Sequence, residues 1–247
     1  MKIAIGISGL YRNNVGGNGV RRRPVSVSSN LLEMKNKFKA DMYYHTWDTE
    51  LNKIPLEYRS GNFFTTPEPI MEYHPIFDPK PTRSPKHHWY RRTKTDGDKT
   101  LHGNKQIIGY SNLFDKIPND YDLYIRTRWD CSINPNFDFE SWYDVALNEG
   151  PVGFMIRTSG PNKYDFRNTK GRMVPKTEDI NQHTDWFEQL ADNLIIHTRE
   201  QLDTSLVYDL HEKRQLLGAE WGWWQVMSKP YGGTIHTSVY GGVNLER

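Results

Sequence analysis

The succession of strand, loop, helix and strand over residues 1–48 constrains the fold more than any other feature of this chain. Lys2–Gly9 is a short apolar run, typical of a strand that is buried on both faces. After a glycine-rich loop, residues 26–39 carry an approximate helical stripe of apolar side chains. Asp41–Asp48 then predicts a second strand that ends in polar groups. This order is typical of the first half of a doubly wound α/β sheet.

A third strand-like run, Tyr121–Asp130, lies in mid-chain and carries unusual charge. Side chains alternate along a strand, so Arg126, Arg128 and Asp130 are expected to share one face. At the carboxyl end of a strand, the arginines can bind phosphate oxygens and the carboxylate can hold a divalent cation. The alternative is a surface strand in which these charges pair only with each other.

Polar groups follow three of the predicted strands, at the end where α/β sheets bind their ligands. They are Gly9 and Arg12, the segment His45–Asp48, and the segment Arg128–Asp130. Glycines let backbone amides approach an anion, and Arg12 adds a guanidinium. The loop has neither the Gly-Lys-Ser/Thr of a Walker loop nor the spacing of a dinucleotide fingerprint, and a plain flexible turn remains the alternative.

The remaining chain is less regular. Residues 49–105 are rich in proline, aromatic and charged residues and are predicted to be an irregular insertion. Within them, Lys86–Arg92 mixes cations with aromatic rings, which suits an anionic acceptor, nucleotide phosphates or nucleic acid, or else a solvated loop or oligomer contact. Further predicted elements are helices over 104–116, 140–148, 179–190 and 200–217, a strand over 152–156, a polar turn leading into a strand over 192–197, and a final antiparallel strand over 234–242.

Composition excludes some classes of protein. The net charge of +2 makes nucleic acid an unlikely partner, and no apolar run reaches the length of about 20 residues that a membrane helix needs. The single cysteine, Cys131, cannot form an internal disulfide, which favours a reducing compartment. We therefore expect a cytoplasmic protein without a transmembrane segment.

Two C-terminal features are candidates for chemistry. The run 218–227 places Glu220 among three tryptophans, where a carboxylate could act as a base of raised pKa; a tryptophan-rich core helix is the alternative. The final strand contains His236, and a lone strand histidine is usually structural.

Three motifs in this order resemble a known family. They are the sequences of residues 2–12, 40–48 and 121–130. Together they resemble a glycosyltransferase-like family that is typified by WavE lipopolysaccharide-synthesis proteins and includes viral and bacterial sequences. The C-terminal part is similar only loosely, through Asp192 before a strand and Glu220 near the start of a helix.

The resemblance implies one GT-A-like catalytic domain over residues 1–247. Its core would be a Rossmann-type mixed sheet flanked by helices, with the insertion at about 49–105 as a long loop region and about 178–247 as an acceptor-side part. The implied activity is hexosyl transfer from a nucleotide-diphosphate-sugar donor to a glycan, lipid-linked or protein acceptor, as in polysaccharide biosynthesis, in a bacterium or a virus-infected host cell.

The resemblance also implies roles for individual residues. Donor-binding roles fall on Ser8, Gly9, Arg12, His45, Thr46, Trp47, Asp48, Arg126 and Arg128. Asp130 and His236 would hold Mn²⁺ or Mg²⁺, but Arg128 stands where the first aspartate of a DxD motif is expected, so arginine could take over the charge of the metal. Asp192 or Glu220 would be the base of an inverting enzyme, whereas a retaining enzyme needs none.

Two other classes stay open at this point. One is a sulfo- or phosphotransferase that binds a different nucleotide at residues 8–12, although that loop is poor in Ser, Thr and Lys. The other is a glycan- or nucleic-acid-binding protein on a degenerate transferase fold, which would use the basic aromatic segment at 86–92.

Overall fold

The computed structural model describes residues 1–9, 29–69, 101–129, 131–133, 140–148, 150–154, 194–213, 215–216, 222–228, 236–238 and 243–245. The strands are β1 (Ile3–Ser8), β2 (Asp41–Trp47), β3 (Phe63–Thr66), β4 (Leu123–Arg128), β5 (Cys131–Ile133), β6 (Val152–Phe154), β7 (Leu194–His197), β8 (His236–Ser238) and β9 (Val243–Leu245). The helices are α1 (Ser29–Phe38), α2 (Leu101–Phe114), α3 (Glu140–Asn148) and α4 (Thr204–Glu212). Short 3₁₀ turns occupy Asp48–Lys53 and Leu56–Tyr58, and Trp224–Ser228 is π-helical.

The described strands form a large mixed sheet in the order β3-β2-β1-β4-β7-β6-β8, and β5 pairs with β9 in a small antiparallel ribbon. β7 runs antiparallel to both of its neighbours, while the other pairs in the large sheet are parallel. Helices cover both faces, so the predicted α/β class with a Rossmann-type mixed sheet is confirmed.

Two sequence expectations need correction. The strand predicted over 234–242 corresponds to β8, which is not antiparallel to its described neighbour, because it pairs in parallel with β6. The irregular stretch predicted after Asp48 contains β3, which extends the sheet beside β2. β3 is only four residues long, and its side chains are all half-buried, so it lacks the apolar pattern that marks a central strand.

The sheet separates two apolar cores, and we name its faces after the helices that cover them. Alternate residues of β1 illustrate the division, since Ile3, Ile5 and Ile7 face the α1 side and Ala4 faces the α2 side. The α1-side core also contains Met42, Ile125, Trp129, Ala146 and Phe154. The α2-side core also contains Tyr43, Trp47, Ile107, Tyr110, Phe114, Tyr124, Val207, Trp223, Val226 and Met227.

Two glycines let α2 approach the sheet closely. A Cβ on Gly6 of β1 would lie 2.8 Å from the Tyr110 ring, a distance that real Cβ contacts do not reach. A Cβ on Gly109 would lie 3.2 Å from the Trp47 ring and 3.4 Å from the His45 ring. Glycine at both positions therefore sets the depth at which α2 packs over β1 and β2.

The order of the strands creates a switch point between β1 and β4. From β1 the chain passes α1 and enters β2, whereas it reaches β4 from α2 on the opposite face. β1 lies between β2 and β4 and is parallel to both. Open α/β sheets bind ligands in the crevice that such a reversal leaves at the carboxyl ends of the strands.

Candidate functional site

The carboxyl ends of β1 and β4 meet at Ser8 and Arg128, which are register partners. Ser8 is fully buried, and its Oγ has no hydrogen-bond partner within the described part of the chain. Arg128 is half-buried. Gly9 follows with φ +113°, a conformation that favours glycine, and a Cβ there would meet no described atom within 4 Å. The described atoms thus leave open space at the end of β1.

A buried guanidinium lies two residues before the end of β4. Arg126 is 0% exposed and shares its face of the strand with Tyr124, which belongs to the α2-side core. Its Nη2 donates to Gln106 Oε1 of α2 at 2.9 Å, and its guanidinium lies 4.9 Å from the centroid of the Trp223 ring. A buried charge is costly without polar partners, and both contacts are favourable to a cation.

Ser8, Gln106, Arg126 and Trp223 form what we call the switch-point cluster. Tyr110 of α2 lies over Gly6 of β1. Gln106 is one helical turn from Tyr110 toward the carboxyl ends of the strands, and Ser8 is two residues from Gly6 in the same direction. Gln106 is therefore expected to lie above the end of β1. Trp223 is fully buried, and its Nε1, like Ser8 Oγ, has no partner among the described residues.

The end of β2 is packed more tightly than the sequence predicts for a binding segment. His45 and Trp47 are buried under α2 with their rings 5.0 Å apart, and Thr46 Oγ1 donates to the Gly9 carbonyl at 3.4 Å. Only Asp48, which opens a 3₁₀ turn, is exposed. Of the four residues predicted to contact a donor at this strand, Asp48 alone has an exposed side chain.

His45 is neutral at physiological pH because of its burial. Burial lowers its pKa to about 4, partly opposed by the negative charge of Asp48. His45 Nε2 lies 2.9 Å from Thr66 Oγ1, which also accepts from Asn112 Nδ2 at 3.0 Å. Nδ1 has no partner in the described ranges. The imidazole is thus tied to β3 and α2 through one nitrogen only.

An ion pair borders the site on the β3 side. Lys105 Nζ lies 2.6 Å from Glu68 Oε1, and Thr49 Oγ1 donates to the other carboxylate oxygen at 2.9 Å. Both charged side chains are largely buried, with 17% and 29% exposure. The pair joins the start of α2 to the residues that follow β2 and β3.

Several predicted site residues lie outside the described residues, namely Arg12, Asp130, Asp192 and Glu220, together with the side chain of His236. Described residues follow two of these positions closely in the sequence. β7, which begins two residues after Asp192, starts opposite Thr127 near the carboxyl end of β4. Trp223, three residues after Glu220, packs on Arg126.

The backbone of His236 is far from the end of β4. His236 of β8 pairs with Val152 of β6, Val152 pairs with Ile196 of β7, and Ile196 pairs with Ile125 of β4. His236 therefore lies three strands away from β4, level with the middle of β4. Three strand spacings correspond to roughly 14 Å. The described part of the chain therefore does not bring His236 to the carboxyl end of β4.

The described residues do not provide a metal site. Among them, no group of three or more His, Cys, Asp and Glu side chains could hold an ion. The groups that the structure does bring to the switch point are arginine, serine, glutamine and tryptophan, whose donors suit an anion rather than a cation.

Gln106 and Trp223 are the residues that sequence reasoning did not assign to the site. Gln106 follows Lys105 on α2 and lies one turn before the core residue Tyr110, so it interrupts an otherwise apolar face. That polar position on a core stripe is the signal that could have identified it. Trp223 was noted within a tryptophan cluster, but its contact with Arg126 depends on tertiary structure.

No described helix is both long and apolar enough to cross a membrane. No protein-family model matches the sequence, and no curated protein matches it either.

Solved structures do match over most of the chain, at low identity. One is a putative glucose-1-phosphate thymidylyltransferase from Bacillus anthracis in complex with a sucrose, with 9% identity, TM-score 0.46 and coverage of 98% of this chain and 88% of that one. Another is the inositol-1-phosphate CTP transferase from T. maritima, with 10% identity, TM-score 0.46 and coverage of 98% and 86%. A third is 4-diphosphocytidyl-2C-methyl-D-erythritolsynthase from Anaerococcus prevotii, with 10% identity, TM-score 0.43 and coverage of 98% and 86%.

Proposed function

We propose that this protein is a glycosyltransferase that binds a nucleotide-diphosphate-sugar at the switch point between β1 and β4. It would transfer the sugar to a glycan, lipid-linked or protein acceptor. The observation that carries the proposal is the convergence of a buried guanidinium, Arg126, and a buried serine hydroxyl, Ser8, at the carboxyl ends of adjacent parallel strands. The resemblance of the three sequence motifs supports sugar transfer in particular.

The chemistry requires stabilisation of the departing diphosphate. Negative charge grows on its oxygens as the glycosidic bond to the donor breaks, and fixed cations or N–H donors lower that barrier. Arg126 and Arg128 supply guanidinium groups on this edge, and Gly9 allows the backbone to come close to a phosphate. Ser8 Oγ would donate to a phosphate or ribose oxygen.

If the reaction inverts the sugar, a base must take the proton of the acceptor hydroxyl. Asp192 and Glu220 are the two proposed bases, with equal rank. β7 begins near the end of β4, and Trp223 contacts Arg126, so both candidates are joined by short segments to elements that border the site. A retaining reaction would need neither carboxylate in this role.

Mn²⁺ or Mg²⁺ remains a proposed cofactor, with Asp130 and His236 as proposed ligands. The described residues do not form a metal site, and the register keeps His236 away from the end of β4. We propose that Arg126 and Arg128 stabilise the charge of the diphosphate, whether or not a metal ion also binds.

A thermal-shift titration with UDP, GDP, CMP and ADP, each with and without Mn²⁺, tests the proposal. A ligand that binds only the folded state stabilises it by about 2.7 kcal/mol at a hundredfold excess over its Kd. We expect one nucleotide to raise the Tm. Absence of a response to every nucleotide, with or without Mn²⁺, would reject a nucleotide-dependent transferase.

Two aspartate variants identify the role of the metal. Asp130→Ala tests the proposed ligand, and Asp122→Ala, at the opposite edge of the sheet, is the matched control. A response that requires Mn²⁺ and disappears only in Asp130→Ala would support metal-dependent binding. A response without Mn²⁺ that survives Asp130→Ala would assign the diphosphate charge to the arginines.

A further inference from the structure

The described contacts of Arg126 include a neutral amide and an aromatic ring. An arginine side chain has many rotamers, and it can bind an anion well only if something fixes its direction beforehand. Gln106 does this through Oε1, which accepts from Nη2 at 2.9 Å. Because glutamine is neutral, this contact orients the guanidinium without lowering its positive charge.

Trp223 holds the same group from another side. Its ring lies 4.9 Å from the guanidinium carbon, and an aromatic face attracts a cation without neutralising it. Trp223 enters this position with a segment whose Val226 and Met227 are buried in the α2-side core. The segment is π-helical from Trp224, a conformation that is often found beside functional sites.

We propose that Gln106 and Trp223 are positioning residues that hold Arg126 toward the diphosphate of the donor. Trp223 thereby makes donor affinity depend on the docking of residues 222–228 against α2 and β4. This inference rests on the proposed function, since it names how one group of that site is prepared for its ligand.

Gln106→Glu is the decisive substitution. It keeps the size of the side chain and its hydrogen bond with Arg126, but it adds a carboxylate that lowers the positive potential at the guanidinium. We expect the Tm to be maintained or raised, while the Kd for a nucleotide diphosphate and for inorganic pyrophosphate rises at least about tenfold. If Gln106 only stabilises the fold, the same substitution leaves both Kd values unchanged.

Asn148→Asp is the matched control. It adds the same charge at an exposed residue of α3, whose Nδ2 donates to the carbonyl of Asp144. Its Kd values should stay within about twofold of those of the unmodified protein. An equal loss of affinity in Asn148→Asp would mean that general negative charge, and not the Gln106 contact, weakens binding, which would overturn the proposal.

The role of Trp223 is tested by two replacements. Trp223→Phe keeps an aromatic face over Arg126 and should retain most of the affinity, whereas Trp223→Leu removes it and should raise the Kd about tenfold. Equal loss in both variants would assign the effect to the indole N–H as a direct ligand and would overturn the positioning role.

Isothermal titration of the full chain with pyrophosphate and with UDP, GDP, CMP and ADP separates the two proposals. Binding of pyrophosphate but of no nucleotide would reject the proposed function, while the Gln106→Glu comparison would still decide this inference. Nucleotide binding that Gln106→Glu leaves unchanged would overturn the inference and keep the function. Binding of none of these anions would overturn both.

Discussion

We call the side of the large sheet where β1, β2 and β4 begin the amino edge, and the side where they end the carboxyl edge. The two edges carry similar residues in different arrangements. At the amino edge, the main-chain nitrogen of Lys2 donates to Asp122 Oδ2 at 2.6 Å. Tyr121 OH donates to Asp41 Oδ2 at 2.6 Å and lies 2.7 Å from the Tyr43 hydroxyl. At the carboxyl edge, Ser8 is buried without a partner among the described residues.

Each edge also has an arginine over an aromatic ring. Arg199, at the amino edge, lies 4.0 Å from the Phe114 ring centroid, and its Nη1 donates to the Phe114 carbonyl at 3.0 Å. Arg126, toward the carboxyl edge, lies over Trp223 and donates to a neutral side chain. Among the described residues, contacts within the chain close the amino edge, whereas the carboxyl edge carries the groups that we propose for ligand binding.

The largest predicted effect is the pH dependence of stability that two buried histidines cause, one in each half of the sheet. His197 lies toward the amino half, where Nε2 meets the Tyr110 hydroxyl at 2.8 Å and Nδ1 meets the Thr198 carbonyl at 2.8 Å. Burial lowers its pKa to about 3 and that of His45 to about 4. The unfolded chain, with pKa values near 6.5, therefore binds protons that the folded protein excludes.

The direction of the pH dependence of stability follows from these lowered pKa values. The contribution of both histidines to stability is fully present above about pH 6.5 and is lost as the pH falls toward 4 and then 3. We expect the free energy of unfolding at pH 5 to be lower than at pH 7.5 by about 4 kcal/mol, about 2 kcal/mol from each histidine. Urea denaturation at the two pH values measures this, and a flat profile would contradict neutral burial.

Nucleotide binding is expected to affect the two histidines differently. Because Nδ1 of His45 has no partner among the described residues and His197 has partners at both nitrogens, we expect nucleotide to shift the ring resonances of His45 more than those of His197. Equal shifts, or a larger shift at His197, would place the ligand elsewhere.

The next largest effect is expected on nucleotide affinity, when replacement of Arg126 is compared with replacement of Arg199. Arg126→Met keeps an unbranched apolar stem and removes the charge, so we expect the nucleotide Kd to rise about 30- to 100-fold, or about 2–3 kcal/mol. Stability should change less, since an apolar residue of similar size often replaces a buried charge without loss. Arg199→Met is the matched control, and it should leave the Kd unchanged because its partners close the amino edge.

Features that local residue patterns determine could be predicted from the sequence, whereas features that depend on tertiary contacts could not. β1 and β4 were predictable because their own residues are apolar and strand-forming. The alternation within β4 predicted one face for Arg126 and Arg128, and in the structure Tyr124 shares that face. β3 was missed because four half-buried residues carry too weak a pattern. The direction of β8 was wrong because pairing with β6 is a tertiary property that the strand residues do not encode.

The site shows the same limit. Strand ends indicated Gly9, Arg126 and Arg128, since polar groups after apolar strands are a local pattern, and the family resemblance added Ser8. Gln106 and Trp223 join them only through the register of α2 over β1 and the docking of a distant segment. The burial of His45 and Trp47 was also hidden, because it depends on the missing Cβ of Gly109.

A smaller effect is expected from Tyr121→Phe at the amino edge. The change removes the hydroxyl that donates to Asp41 and contacts the Tyr43 hydroxyl. We expect the free energy of unfolding to fall by about 1 kcal/mol, the usual net value of one such hydrogen bond. Nucleotide Kd values should not change. A loss of affinity in this variant would show that the two edges are coupled, contrary to the comparison.

Ser8→Ala is the counterpart at the carboxyl edge and has the smallest expected effect on stability. Ser8 Oγ is buried without a partner among the described residues, so its removal costs no hydrogen bond with them and relieves an unmet polar group. We expect the free energy of unfolding to stay equal or rise by about 0.5 kcal/mol, while the nucleotide Kd rises about fivefold, as for one neutral hydrogen bond. Chemical denaturation and calorimetric titration measure the two quantities. Lower stability with unchanged affinity would make Ser8 a structural residue like Tyr121, and the distinction between the edges would then rest on Arg126 alone.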